Sequence, residues 1–363
     1  MDETRLKKLL LRMIDIYSPS GKEEDILVFL KNFLKRRGID VQFQDVDEHR
    51  HNLIVAPKGA DIAIALIGHV DTVSAYDLEH YMAGEHDGDI IGLGAADMKA
   101  GCAAMIEAYL NLLDDFKEPS LPVALCLVVG EEETGDGAVR LMKDFTFPWA
   151  VIGEPTNLCP CFESYGYVES QISTQGKRQH ASMAGRKKNA VKSLLDSLIR
   201  FTSYVESRRP ELIYNIRDLS TPPAGFAVPE YGEAWIDIHL PPDAPIGEII
   251  SELEDVVVRP EVKKSGIPVL FRTHTIDAGY TLPDKGRVQD CLKEVFAQMD
   301  LPWQPGPFPS HSDANHIFSA GTKPVILGPG QLENAHAQDE SVPYSQVVQA
   351  AVLYHEFIRR LLS

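Results

Sequence analysis

DIAIALIGHVD, residues 61–71, is an apolar run that ends on a histidine and a carboxylate, and three later stretches are built in the same way. LPVALCLVVG (121–130) leads into Glu131-Glu132-Glu133, FPWAVIG (147–153) into Glu154, and KPVILG (323–328) into Pro329-Gly330. Runs that stay apolar without alternating belong to strands buried on both faces, the condition of a parallel sheet covered by helices. Longer helical stretches separate them, so the pattern predicts an α/β domain with a largely parallel sheet. The carboxyl ends of such strands lie along one edge, where open α/β sheets bind ligands. Acidic and histidine groups at three of the four strand ends are therefore expected to meet.

Outward from these runs, Leu6, Leu9, Leu10, Met13 and Ile14, then Ile26, Leu27, Leu30 and Phe33, recur at helical spacing on either side of a Ser18-Pro-Ser-Gly21 turn. Between residues 166 and 276 the texture changes. An alternating strand (167–174), a helix (189–207), a Pro/Gly-rich crossing (221–225), a second alternating strand (233–240), a helix (246–257) and a strand near Val269 read as a small α+β module. Helices at 288–299 and 344–362 then flank the strand at 325–327. The predicted organisation is an α/β domain in two pieces, 1–165 and 277–363, with an α+β module inserted over 166–276.

The chain of 363 residues carries 35 basic against 53 acidic side chains, a net charge of −18 that repels phosphate backbones and anionic membranes. Nucleic-acid and membrane partners are not expected. Five cysteines, an odd number, make no disulfide framework, and the start MDETRLKKLLLRMIDIY lacks the basic opening and continuous apolar core of a signal peptide. The expected location is the cytoplasm. Cys159 and Cys161 form a CxC pair that reads as two ordinary thiols in a loop.

Five stretches carry chemistry. In GHVDTV, His69 can bind a metal once its second ring nitrogen is fixed, and Asp71 is the type of partner that fixes it; alone, the pair also reads as a capped turn. In GLGAADMKAG, Asp97 precedes an apolar helix and reads either as its N-cap or as a carboxylate shared by two cations. Gly92-Leu-Gly94-Ala-Ala-Asp97 also resembles the start of a dinucleotide fingerprint, but an aspartate would set negative charge where pyrophosphate has to sit. Glu131, Glu132 and Glu133 repel one another, and a nearby cation relieves that repulsion. Glu154 in IGEPT and His336 in NAHAQDE add one potential ligand each.

Taken in order, GHVDTV, GLGAADMKAG, EEETG, GEPT and AHAQDE resemble the motifs of the co-catalytic zinc metallopeptidase and aminoacylase family. That family includes acetylornithine deacetylases, succinyl-diaminopimelate desuccinylases, LysW-lysine hydrolases, carboxypeptidases and dipeptidases, and the likeness spans essentially the whole chain. The resemblance implies two divalent metal ions, zinc above all with cobalt or manganese as alternatives. His69 and Glu154 would hold one, Glu133 and His336 the other, and Asp97 would bridge them. Placing Gly135 where the family has its glycine makes Glu132 the general base; reading the triplet one step earlier makes Glu131 the base and Glu132 the ligand. Asp71 would orient His69, His180 in QGKRQHAS would assist the oxyanion from the inserted module, which would be the lid or dimerisation domain of the catalytic domain, and Asp313 with the backbone at Gly328 and Gly330 would line the substrate side.

The departures fall mostly in the lid: Ala184, Gly185 and Lys187 replace the usual Pro, acidic residue and Gly, Phe226 stands where many relatives have Asn, and His239 where Arg is usual. Ser74 replaces a common Pro outside it. The implied activity is cleavage of an amide bond, in an N-acyl amino acid or a short peptide, through a metal-activated water, by a homodimer joined through the lid. A family member that binds metal without turnover is the second reading and requires a damaged base or ligand set. A nucleotide-dependent oxidoreductase is the third, and Asp97 opposes it.

Overall fold

The computed structural model describes residues 1–57, 61–78, 81–116, 121–184, 189–264 and 267–363, so Gly185 and Lys187 lie outside the described residues. Two compact units emerge. Unit 1 comprises Met1–Glu163, Leu282–Phe308 and Ser312–Ser363; unit 2 comprises Ser164–Thr281 and Pro309–His311.

In unit 1 the four apolar runs become the strands Ile64–His69, Val123–Val128, Trp149–Ile152 and Lys323–Ile326. They are parallel, in the spatial order 123–128, 64–69, 149–152, 323–326. Antiparallel strands flank them, His51–Val55 and Gln42–Asp45 on one side and Cys161–Ser164 on the other. Every residue of 64–69 and 123–128 is buried, as unbroken apolar runs require. Helices Glu3–Ile14, Ala100–Asp115, Arg287–Gln298 and Tyr344–Leu362 pack in one group, Asp136–Asp144 packs with Asp313–Ser319, and Glu24–Lys35 lies against strand His51–Val55. A mostly parallel sheet covered by helices is the predicted class.

Helix Ala100–Asp115 is buried over most of its surface, and the small residues of its first turn let it approach the sheet closely. A Cβ at Gly101 would lie 2.1 Å from the carbonyl oxygen of Gly153 and 3.2 Å from that residue's Cα. This contact between two backbones sets how near Asp97 comes to the strand that ends at Glu154.

Unit 2 is a four-stranded antiparallel sheet in the order Ile213–Ser220, Tyr231–Leu240, Gly166–Gln175, Val269–Asp277. Strand 231–240 alternates between buried and half-buried at every position. Its inward residues Ala234, Ile236 and Ile238 join Val168, Ile172, Phe201, Leu253 and Val257 in a core shared with helices Ala190–Arg208 and Ile246–Lys264. The unit is therefore the α+β module the alternation predicts.

Three details differ from the sequence reading. Strand Ile213–Ser220 was not expected, because its outer position leaves most of its side chains exposed and removes the apolar alternation that marks a strand. The small sheet of Gly84–His86, Asp89–Ile91 and Ser341–Pro343 was also missed, its members being three residues each. The unit boundaries move outward from 166 and 276 to 164 and 281 because Gly166 packs against the turn at Asp277–Gly279. Residues 309–311 also join unit 2, where the Ser164 hydroxyl donates to the Ser310 carbonyl at 3.0 Å.

Replacing Gly101 by alanine is expected to destabilise the fold by about 1–3 kcal/mol, the cost of forcing two close-packed backbones apart. Urea denaturation of the variant against the parent measures it; an unchanged midpoint would show that the helix can move away freely.

Candidate dimetal active site

His69 ends its strand fully buried, and both ring nitrogens are engaged. Nδ1 lies 3.0 Å from the carbonyl oxygen of Asp71 and 3.6 Å from that residue's Oδ1, while Nε2 faces Asp97 Oδ1 at 3.1 Å. The orienting partner of the imidazole is thus chiefly the backbone of Asp71. The Asp71 carboxylate has other partners: Oδ2 accepts from the Ser20 hydroxyl at 2.7 Å and from the Glu132 N–H at 3.1 Å, and Oδ1 from the Glu131 N–H at 3.3 Å. Asp71 therefore ties the glutamate loop to the histidine strand.

Asp97 is not an N-cap. The helix proper opens at Ala100, and Asp97 sits in the irregular turn Ala95–Lys99 with extended dihedrals, φ −117° and ψ 99°, followed by a cis peptide to Met98. Its two carboxylate oxygens face different imidazoles, Oδ1 toward His69 and Oδ2 toward His336 Nε2 at 3.5 Å. Glu132 Oε2 lies 2.9 Å from the same nitrogen of His336. Two groups result, His69 with Asp97 and Glu154, and Asp97 with Glu132 and His336, each with its donor atoms within 4.8 Å of one another. They share one carboxylate.

The expected register of the glutamate triplet does not fit this geometry. Glu133 is exposed and belongs to neither group, while Glu132 stands at the position expected of Glu133. Glu131 also turns inward: it is partly buried, with Oε2 3.8 Å from His69 Nε2. The loop turns after Val128, and Asp71 holds the N–H groups of Glu131 and Glu132, so these two side chains are drawn inward and the third is left outside.

The electrostatics record how crowded these acids are. Burial, with the neighbouring carboxylates, raises the Glu131 and Glu154 carboxyls well above the usual range, and burial raises Glu132 too. Burial alone would lower His69, yet Glu131, Asp71, Asp97 and Glu154 together raise it well above its ordinary value. The hydrogen bond to Glu132 lifts His336 to about 9. Glu154 Oε1 is buried and meets no hydrogen-bond partner. A carboxylate oxygen left bare among like charges is the donor a cation would satisfy, so these oxygen and imidazole groups fit divalent metal ions. His336 has a φ of 58°, a left-handed conformation costing a non-glycine residue about 1–3 kcal/mol and characteristic of functional sites.

The remaining expected residues belong to neither donor group, although Asp313 is near enough to act electrostatically on Glu131 and Glu154. Asp313 is enclosed rather than presented on an open wall, with 2% of its surface exposed and neither carboxylate oxygen hydrogen-bonded; burial pushes it up to about 8. Gly328 is packed under the backbone of the Glu154 strand end, where a Cβ would lie 2.3 Å from the Gly153 carbonyl oxygen and 2.5 Å from that of Glu154. Gly330 is buried beside Ala96 and Pro155. Both glycines pack against the segment that carries Glu154 and Pro155. His180 belongs to unit 2 and to neither donor group; it is exposed, with Nδ1 2.9 Å from the Ser182 hydroxyl. Sequence reasoning missed Glu340 altogether. The glycine-rich GLGAAD turn, a cradle for an anion, was the signal that could have found it.

Comparison with known proteins follows the same lines. Residues 65–360 match the model of peptidase family M20/M25/M40. Among solved structures, the chain is similar to a tripeptidase from Staphylococcus aureus, with 21% identity over 99% of both chains and a TM-score of 0.83. It is similar to aminopeptidase PepT from Bacillus cereus, with 20% identity over 100% of both chains and a TM-score of 0.79. Human carnosine dipeptidase 1 shares 14% identity over 99% of this chain and 96% of its own, with a TM-score of 0.77. At these identities the likeness is one of fold.

Cation uptake near neutral pH is expected to release at least one proton, because His336 is protonated below about 9 in the metal-free site and must be neutral to serve as a ligand. Affinity should therefore weaken as pH falls. Calorimetric titration with zinc in buffers of different ionisation enthalpy counts the protons; a count of zero contradicts a protonated His336.

Proposed function

This chain belongs to peptidase family M20/M25/M40, and on that premise we propose that its dimetal site hydrolyses an amide bond in a short peptide or an N-acyl amino acid. The observation that carries the reading is a pair of donor groups sharing Asp97, with one further carboxylate, Glu131, beside them. His69 and Glu154 would hold one cation, Glu132 and His336 the other, and Asp97 would serve both. Divalent cations bound there supply Lewis acidity toward the scissile carbonyl and a water of lowered pKa. Zinc suits oxygen and imidazole donors without thiolate, and cobalt or manganese would be accepted.

Glu131 is the general base. Its partly buried carboxylate stands 3.8 Å from His69 Nε2, and cations beside it would favour the ionised form that takes a proton from water and returns it to the leaving amine. Asp71 positions this base and the neighbouring ligand Glu132 through their N–H groups, and its carbonyl fixes the His69 ring. A cavity of about 60 Å³ lined by Val73, Ser74, Tyr81, Leu93 and His336 is a candidate subsite for a small side chain or acyl group.

The wider reading is a cytoplasmic homodimer acting on small molecules. Five free cysteines, four of them buried, suit a reducing compartment, and among the described residues no helix is long and apolar enough to cross a membrane. Leu195 and Ile199 are exposed one turn apart on helix Ala190–Arg208, which makes that helix the candidate dimer surface, while His180 in the same unit is the candidate oxyanion ligand.

Three substitutions test the assignment. Glu131→Gln is expected to keep two metal ions and lose about 10²-fold or more in kcat. Glu132→Gln should lose metal, and Glu133→Gln should change neither. Rates on dipeptides and N-acetyl amino acids, before and after chelation, separate peptidase from deacylase. Chelator-resistant cleavage, or activity unmoved by Glu131→Gln, sinks the reading.

A further inference from the structure

The turn that carries Asp97 is not a helix, so the N–H groups of Ala96 and Asp97 have no helical acceptor and need another. One buried side chain supplies it. Glu340 is 1% exposed, and its Oε1 accepts from the N–H groups of Ala96 at 2.8 Å and Asp97 at 3.0 Å, while Oε2 accepts from Gly94 at 2.9 Å. Its own carbonyl accepts from the Gly92 N–H at 3.0 Å. The stretch that resembles a dinucleotide fingerprint is thus an anion-binding nest, and the anion it holds is a carboxylate of this chain. Lys99, 1% exposed and donating to the Ile16 carbonyl at 3.0 Å, is a buried positive charge acting on Glu340.

We propose that Glu340 is a positioning residue for the bridging ligand, holding the backbone of Asp97 so that each carboxylate oxygen faces its own imidazole; this rests on the dimetal reading above. Without these bonds, the cheapest way to satisfy the freed N–H groups is to continue helix Ala100–Asp115 backwards, which would carry the Asp97 side chain off the two histidines. The device is coupled to the second donor group. His336 lies four residues before Glu340, so one segment faces Asp97 Oδ2 through its imidazole and grips the Asp97 N–H through its carboxylate. Immediately after Glu340, strand Ser341–Pro343 pairs with Asp89–Ile91, anchoring that segment to the start of the Asp97 turn.

Glu340→Gln keeps the volume but turns an amide N–H₂ toward one of three donors. Loss of an outer partner of a metal ligand typically weakens metal affinity or activity by about 10–100-fold. Titration of the full-length protein with cobalt, read by calorimetry and by the visible d–d bands, should therefore show Kd raised at least tenfold and a changed spectrum. In steady-state assays kcat should fall with KM nearly unchanged. Glu107→Gln serves as the control: Glu107 is buried in the same unit and pairs with Arg5 at 2.7 Å, so this variant should lower Tm and leave cobalt affinity alone. Should Glu340→Gln not fold, Glu340→Asp keeps the charge beside Lys99 but falls one methylene short, and it too should bind cobalt more weakly. Wild-type cobalt affinity and spectrum in either folded Glu340 variant overturn the positioning role. Failure of the parent protein to bind two cobalt ions overturns the dimetal reading itself.

Discussion

Asp97 is the point through which the two halves of the site are held to one geometry. Its oxygens lie 3.1 Å and 3.5 Å from the nitrogens of two histidines that are 267 positions apart in the chain, and each donor group is incomplete without it. A carboxylate can serve two partners in this way only if its backbone is fixed, because rotation about the side-chain bonds would favour one imidazole over the other. The fixing comes from two directions. The close approach of Gly101 to Gly153 sets the depth of the turn, and the Glu340 carboxylate sets its local conformation.

The second constraint is charge. Glu131, Glu132, Glu154 and Asp97 gather around His69 and His336, and burial raises three of the four carboxyls. Such a cluster is stable only with protons or cations in it. The structure therefore stores a demand for positive charge at the sheet edge, and a dimetal centre answers it with the reactive groups already in place. Outside the site, no other His, Cys, Asp and Glu side chains among the described residues gather closely enough to hold a metal ion.

How much of this could be read from the residues depends on how far each signal is local. The four buried strands were legible because a parallel sheet covered on both faces demands unbroken apolar runs, and DIAIALIG and LPVALCLVVG have them. Strand 231–240 was legible because one face is buried and the other half-buried, so it alternates. Strand 213–220 was not, since an exposed outer strand carries no hydrophobic period. Within the site, strand-end positions marked His69 and Glu154, and motif order marked Asp97 and His336. Which two of the triplet at 131–133 turn inward was not legible, because three identical side chains in a row carry no local information about it.

The residues alone thus determined the fold class, the inserted module and the set of residue types that meet at one sheet edge, because hydrophobic periodicity and strand polarity are properties of short segments. Tertiary structure alone decided which glutamate faces His336 and which His69, that Asp71 acts through its carbonyl on the ring and its carboxylate on the loop, and that Glu340 fills the glycine-rich nest. Most of those outcomes are set by contacts between segments far apart in the chain, up to 246 positions for Glu340 and Gly94, a geometry no neighbouring residue encodes.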